Sequence, residues 1–130
     1  MIQSYPATEL EADLPASDAD APARAACLFH GFSDPHRLAI LRHLALGERR
    51  VVDLTAHLGL AQSTVSRHLS CLKDCGLVTS RPQGRASVFS LIHAAALTDL
   101  FAAAERLLDL TGDAVTLCAN HGTAASADGR

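Results

Sequence analysis

Two stretches with helical patterning, residues 51–58 and 62–75, are separated by only Gly59-Leu60-Ala61. A link that short forces the second helix to turn sharply away from the first, and Gly59 supplies the residue best suited to ending a helix. This is the layout of a helix-turn-helix, whose second helix is free to enter a groove. Few other folds tolerate it.

The flanking patterns narrow the choice further. After Gly76 the period changes from 3.6 to 2: Leu77-Val78-Thr79-Ser80-Arg81 and Arg85-Ala86-Ser87-Val88-Phe89-Ser90-Leu91 are β-prone runs around Pro82-Gln83-Gly84, a hairpin signal. Upstream, residues 23–32 read as a first helix ending near Gly31. Ser33-Asp34-Pro35 then starts a second helix that runs to about Leu46 and stops at Gly47, with Leu38, Leu41, Leu44 and Ala45 at helical spacing. Downstream, residues 94–110 carry Leu97, Leu100, Phe101, Ala104, Leu107 and Leu108 as a continuous apolar stripe. The expected fold is mainly α (α+β), a winged helix-turn-helix with a two-stranded β-hairpin wing.

Composition agrees with one small helical domain. The 130 residues are 48% hydrophobic but 4% aromatic with no Trp, so the core must come from Leu, Val, Ile and Ala. No apolar run approaches the length needed to cross a bilayer, and residues 1–20 lack the basic start and apolar stretch of a signal peptide. A cytoplasmic protein without membrane contact is expected, with its four cysteines as thiols. The formal charge of −3 excludes a generally basic, histone-like protein, yet it is unevenly spread. Residues 1–21 carry −5 and residues 93–130 carry −3, while 22–61 carry +2 and 62–92 carry +3. Residues 1–21 read as a disordered acidic tail, 22–118 as the folded domain, and 119–130 as a flexible C-terminal tail.

On the second helix of the turn, Val65, Leu69 and Leu72 fall on one core-facing stripe. Gln62, Ser63, Thr64, Ser66 and Arg67 crowd its N-terminal end, where short polar side chains reach phosphates or base edges. Arg81 and Arg85 flank the hairpin turn and are placed to hold phosphates beside the groove. Either feature alone is ordinary capping or a solvated loop. Together, in this order, they point to double-stranded DNA.

The runs Phe32-Ser33-Asp34-Pro35-His36-Arg37-Leu38-Ala39-Ile40-Leu41 and Leu58-Gly59-Leu60-Ala61-Gln62-Ser63-Thr64-Val65-Ser66-Arg67-His68-Leu69 resemble the ArsR/SmtB family of metal-sensing repressors. The resemblance covers about residues 23–118. It implies a homodimer joined through its first and last helices. Such a dimer binds operator DNA when metal-free and releases it when metal binds. A two-fold dimer would present its reading helices to an inverted repeat.

Cys71 and Cys75 are four residues apart on the reading helix, so their side chains stack on one face, in line with His68 and Thr64. Two thiolates there can converge on one ion, or each cysteine can be a small buried hydrophobe. Two sulfurs leave a heavy metal undercoordinated, and Cys118, in Leu117-Cys118-Ala119-Asn120-His121, is the best third candidate. The run His68-Leu69-Ser70-Cys71-Leu72-Lys73-Asp74-Cys75-Gly76 resembles the thiolate site of the CmtR-type cadmium/lead sensors within the family. That resemblance implies a Cys71, Cys75 and Cys118 set, with Cys118 drawn from the partner subunit. Other branches are poorly matched. Arg50 and Val52 stand where a Cys-x-Cys pair would precede Asp53-Leu54, and after His93 no further His follows until His121.

Three thiolates favour soft ions: Cd(II) and Pb(II) first, Hg(II) next, with As(III) an alternative. Cys27 and His30 form another pair on the first helix, read mainly as packing and helix-end residues. A second alternative is a thiol redox switch, with Cys75 near Lys73 or Cys71 near His68 as an activated thiolate. A thiol enzyme is not expected, since no carboxylate or amide completes a catalytic set.

Overall fold

The structure is a computed structural model and describes residues 19–118. The tails expected at 1–21 and 119–130 lie outside the described residues, apart from 19–21, where the first helix already begins. Among the described residues five helices and three strands follow in order: α1 (Ala21–Gly31), α2 (Pro35–Ala45), β1 (Arg49–Arg50), α3 (Val51–Leu58), α4 (Gln62–Asp74), β2 (Val78–Gln83), β3 (Ala86–Leu91) and α5 (Ala94–Leu110).

Local chemistry sets each boundary. Asp34 caps α2 by accepting from the main-chain N–H groups of His36 (2.9 Å) and Arg37 (3.1 Å), with Pro35 in the first turn. Gly59 ends α3 in the left-handed region at φ +69°. The end of α4 is a Schellman turn: Gly76, at φ +79°, donates to Lys73 O and Leu77 donates to Leu72 O, both at 3.0 Å. Cys75 is therefore the C-cap of the reading helix, held in place by its backbone.

The wing is the hairpin β2–β3, but its turn is tighter than expected. Pro82 and Gln83 belong to β2, and Gln83 pairs with Ala86 across Gly84-Arg85, with Gly84 at φ +64°. A two-residue loop with glycine first is a favoured hairpin connection. The sheet also has a third strand. Arg49 and Arg50 pair antiparallel with Phe89 and Val88, giving the order β1-β3-β2. A two-residue strand carries no alternation by which a sequence pattern could reveal it.

The core is aliphatic, as composition required. Ile40, Leu41, Leu54, Val65, Leu69, Leu72 and Val78 are fully buried. Val65, Leu69 and Leu72 anchor α4 by one face, each contributing about 1.5–3 kcal/mol of burial. Along α5 only Leu97 and Phe101 are buried; Leu107 of the same stripe is 64% exposed, Leu110 beyond it is 83% exposed, and Phe29 on α1 is 56% exposed. No helix among the described residues is long and apolar enough to cross a membrane.

Candidate nucleic-acid interface and thiolate centre

The N-terminus of α4 is open. Its N-cap is Ala61, and no side chain caps it. Gln62, Ser63, Ser66 and Arg67 are exposed and Thr64 is half-buried, while Val65, Leu69 and Leu72 turn into the core. The serines and threonine are therefore not capping residues, and capping does not account for their presence. The first amides of α4 carry the positive end of the helix dipole and face solvent beside these side chains. That combination binds anions, phosphates included.

The wing contributes unevenly. Arg85 sits exposed at the tip. Arg81 donates to Glu48 at 2.7 Å and 3.4 Å, an exposed ion pair that ties β2 to the segment before β1. No local pattern points to that partner, because Glu48 lies 33 residues away. Lys73 Nζ donates to Ser80 Oγ at 3.0 Å, so it braces α4 against the wing.

The thiols gather where α4 ends against α1. Cys75 Sγ donates to the main-chain carbonyl of Cys27 at 3.4 Å, and Cys27 and Cys71 are the ionisable neighbours that act on its thiol. Gly31 completes the contact: a β-carbon there would stand 3.2 Å from Cys75 Sγ. Burial, reinforced by the neighbouring Cys27 and Cys71 sulfurs, pushes the Cys75 thiol up to about 11. At neutral pH it is a protonated thiol, and Lys73, engaged with Ser80, does nothing to ionise it. This weakens the activated-thiolate reading.

Cys118 lies elsewhere in its own chain. It is buried beside α5, with its thiol 3.6 Å from Thr98 O and its N–H donating to Glu105 Oε2 at 2.7 Å. Glu105 also accepts from Leu117 N–H. Burial, then the Glu105 carboxylate, pushes the Cys118 thiol up from its usual range. One chain thus brings Cys71 and Cys75 together and leaves Cys118 apart. Among the described residues no three His, Cys, Asp or Glu side chains already stand around a common metal position. His121 lies outside the described residues.

One polar network was missed by sequence reasoning. Buried Arg37 donates through Nε to Gly31 O (3.0 Å) and through Nη2 to His30 O (2.8 Å), satisfying the last carbonyls of α1. Its Nη1 lies 3.4 Å from His68 Nδ1. A guanidinium only donates, so Nδ1 accepts and the His68 proton sits on Nε2, which faces Asp34 Oδ2 at 3.7 Å. The end of α1, the cap of α2 and the middle of α4 are thereby joined. A signal was present: Arg37 shares a helical stripe with Leu41 and Leu44, and His68 shares one with Val65 and Leu72. A polar residue on a core stripe calls for a buried partner.

The model of the family described as "Bacterial regulatory protein, arsR family" matches residues 34–80. The regulator NmtR of Mycobacterium tuberculosis is 39% identical over 84 residues, covering 63% of this chain and 70% of that protein. This chain belongs to the arsR family. Its relatives are regulators rather than enzymes, as the residues led us to expect. A probable mercury resistance operon repressor of Streptomyces lividans is 39% identical over 80 residues, 62% of each chain. The regulator CmtR of M. tuberculosis is 46% identical over 64 residues, 49% of this chain and 54% of that one. The chain thus spans only 62% and 54% of the length of these two relatives. Among solved structures, a homodimeric winged helix-turn-helix DNA-binding domain from Mycobacterium bovis superposes with a TM-score of 0.63. It is 29% identical and covers 75% of this chain and 94% of that one.

Proposed function

We propose that this arsR-family protein is a metal-responsive transcriptional repressor that binds operator DNA as a metal-free homodimer and leaves it when a thiophilic ion binds. The observation that carries the reading is the placement of Cys71 and Cys75 on the same helix as the DNA-facing residues, at its opposite end, with Cys75 against α1. Gln62, Ser63, Thr64, Ser66 and Arg67 read or grip the DNA, and Arg81 and Arg85 hold its backbone from the wing. The exposed apolar faces of α1 and α5 supply the dimer contact, which the homodimeric relative supports. A two-fold pair of α4 helices suits an inverted repeat.

The donor set fits a soft ion. Cys71, Cys75 and Cys118 supply sulfur only, which suits Cd(II) and Pb(II) first and Hg(II) next; the mercury-repressor relative keeps Hg(II) in contention. When bound, such an ion stabilises thiolates that are otherwise protonated here, so binding releases protons. Cys118 completes the set from the partner subunit. Gathering these thiolates shifts Cys75 and therefore the end of α4, whose other end touches DNA. Arg37 and His68 carry the shift to α1 and α2. Coupling of about 1–3 kcal/mol between the two sites, a typical allosteric value, would lower operator affinity about 5–150-fold.

The test is a fluorescence-anisotropy titration of a labelled inverted-repeat operator, followed by Cd(II), Pb(II) or Hg(II). Release by substoichiometric ion is expected from the native chain. Cys71→Ser and Cys75→Ser should bind the operator normally and ignore the ion. Operator release by both variants at native ion concentrations would refute the assignment.

A further inference from the structure

Cys27 is the thiol that the proposed Cys71, Cys75 and Cys118 set leaves unused. We infer that Cys27 is a ligand of the same soft-ion site, so that α1 and α4 of a single chain offer three sulfurs before Cys118 is added as a fourth. The inference rests on the proposed metal response and extends it.

Three features place Cys27 there. Its main-chain carbonyl already holds the Cys75 thiol at 3.4 Å, so α1 and the C-cap of α4 are in register at this residue. Its own side chain, like that of Cys71, is one of the ionisable neighbours that act on the Cys75 thiol. Gly31, one turn further along α1, leaves the space that Cys75 occupies. The α1 face presented to Cys75 is therefore a thiol followed by a gap.

The spacing suits an ion. Sulfurs bonded at about 2.3 Å, the zinc–thiolate length, in a trigonal arrangement stand about 4 Å apart, and somewhat further around the larger Cd(II). Among the described residues no three donors yet share a centre. Cys27 is exposed and Cys71 only half-buried, so rotation about their Cα–Cβ bonds can redirect both sulfurs without moving backbone. Binding forms three metal–sulfur bonds and releases three thiol protons to solvent, with no change of oxidation state. The site would also bond α1 directly to the end of the reading helix.

The experiment compares full-length, reduced Cys118→Ser with Cys27→Ser/Cys118→Ser, using thiolate-to-Cd(II) ultraviolet absorption at saturation. Its intensity scales with the number of sulfurs. The single variant should show a band about one and a half times that of the double variant, for three sulfurs against two. Equal bands would overturn the inference while leaving the metal response standing. A native chain with no thiolate band, or one unaffected by Cys71→Ser and Cys75→Ser, would instead remove the parent reading. Alkylation followed by mass spectrometry needs no Cys27 variant. In Cys118→Ser, Cd(II) should protect Cys27 along with Cys71 and Cys75, and unchanged alkylation of Cys27 would also overturn the inference.

Discussion

Arg81 on the wing donates to Glu48 at 2.7 Å, so one of the two wing arginines is already partnered in the free protein. A phosphate must compete with Glu48 for that guanidinium, whereas Arg85 at the tip is exposed. Glu48→Gln should therefore tighten DNA binding at low salt and steepen its salt dependence, by up to about 0.9 in the slope of log K against log salt for one added phosphate contact. Arg85→Ala should weaken binding to all sequences alike and reduce the slope by about the same amount. Salt titrations on an operator and a scrambled duplex measure both. A Glu48→Gln protein that binds more weakly would mean that the pair positions the wing rather than restraining it.

Arg37 holds the end of α1 by two carbonyl contacts and touches His68 on α4. Arg37→Met preserves most of the aliphatic bulk but removes the side-chain donor to the Gly31 carbonyl, while His30 O keeps the Ser33 N–H and Oγ. That loss costs about 1–3 kcal/mol where water cannot replace the donor. We expect a lower urea midpoint with an unchanged m-value. Native stability in this variant would show that water satisfies the α1 end.

Much of this was legible in the sequence because it is local. Asp34-Pro35, Gly59 and Gly76 set boundaries by chain chemistry alone, and the stripes of α4 and α5 follow from spacing. The grouping of Cys71 with Cys75 is helical geometry. What the sequence withheld depends on contacts between distant segments: Glu48 with Arg81, the Cys27 carbonyl with Cys75, and β1 with β3. Cys118 shows the same limit from the other side, since its own chain seats it against Thr98 and Glu105, away from Cys71 and Cys75.

Gly31 faces the Cys75 sulfur, and a β-carbon there would approach it to 3.2 Å and Leu77 Cδ1 to 3.4 Å. Gly31→Ala gains about 1 kcal/mol of helix propensity, which offsets the crowding because the sulfur is the free end of a short side chain. Stability should therefore change little. The displaced thiol should raise the Cd(II) dissociation constant, read by competition with a chelator of known affinity. Unchanged Cd(II) affinity would show that the Gly31 gap plays no part in seating Cys75.

The histidines give the fold a defined pH response. Burial, followed by the positive neighbours His57, Arg49 and Arg42, lowers the His43 pKa. His43 stacks on His57 with ring centroids 4.8 Å apart. Burial also lowers the His68 pKa, against the opposing pull of the Asp34 carboxylate and with further help from Arg37, His36 and Arg67. In the unfolded chain both rings return to about 6.5. As pH falls through that value, the unfolded chain takes up protons that the folded chain still refuses, so stability falls. The contribution is complete above about 6.5 and is lost below it until the folded-state values are passed. Asp34 and Asp53, whose carboxyls are held below 3.8, add a separate loss at more acid pH as they protonate. Urea midpoints on the metal-free protein should therefore be lower at about pH 5.5 than at about pH 7.5, and His43→Gln should flatten that difference. A midpoint that holds or rises on acidification would show that these rings are charged in the folded protein.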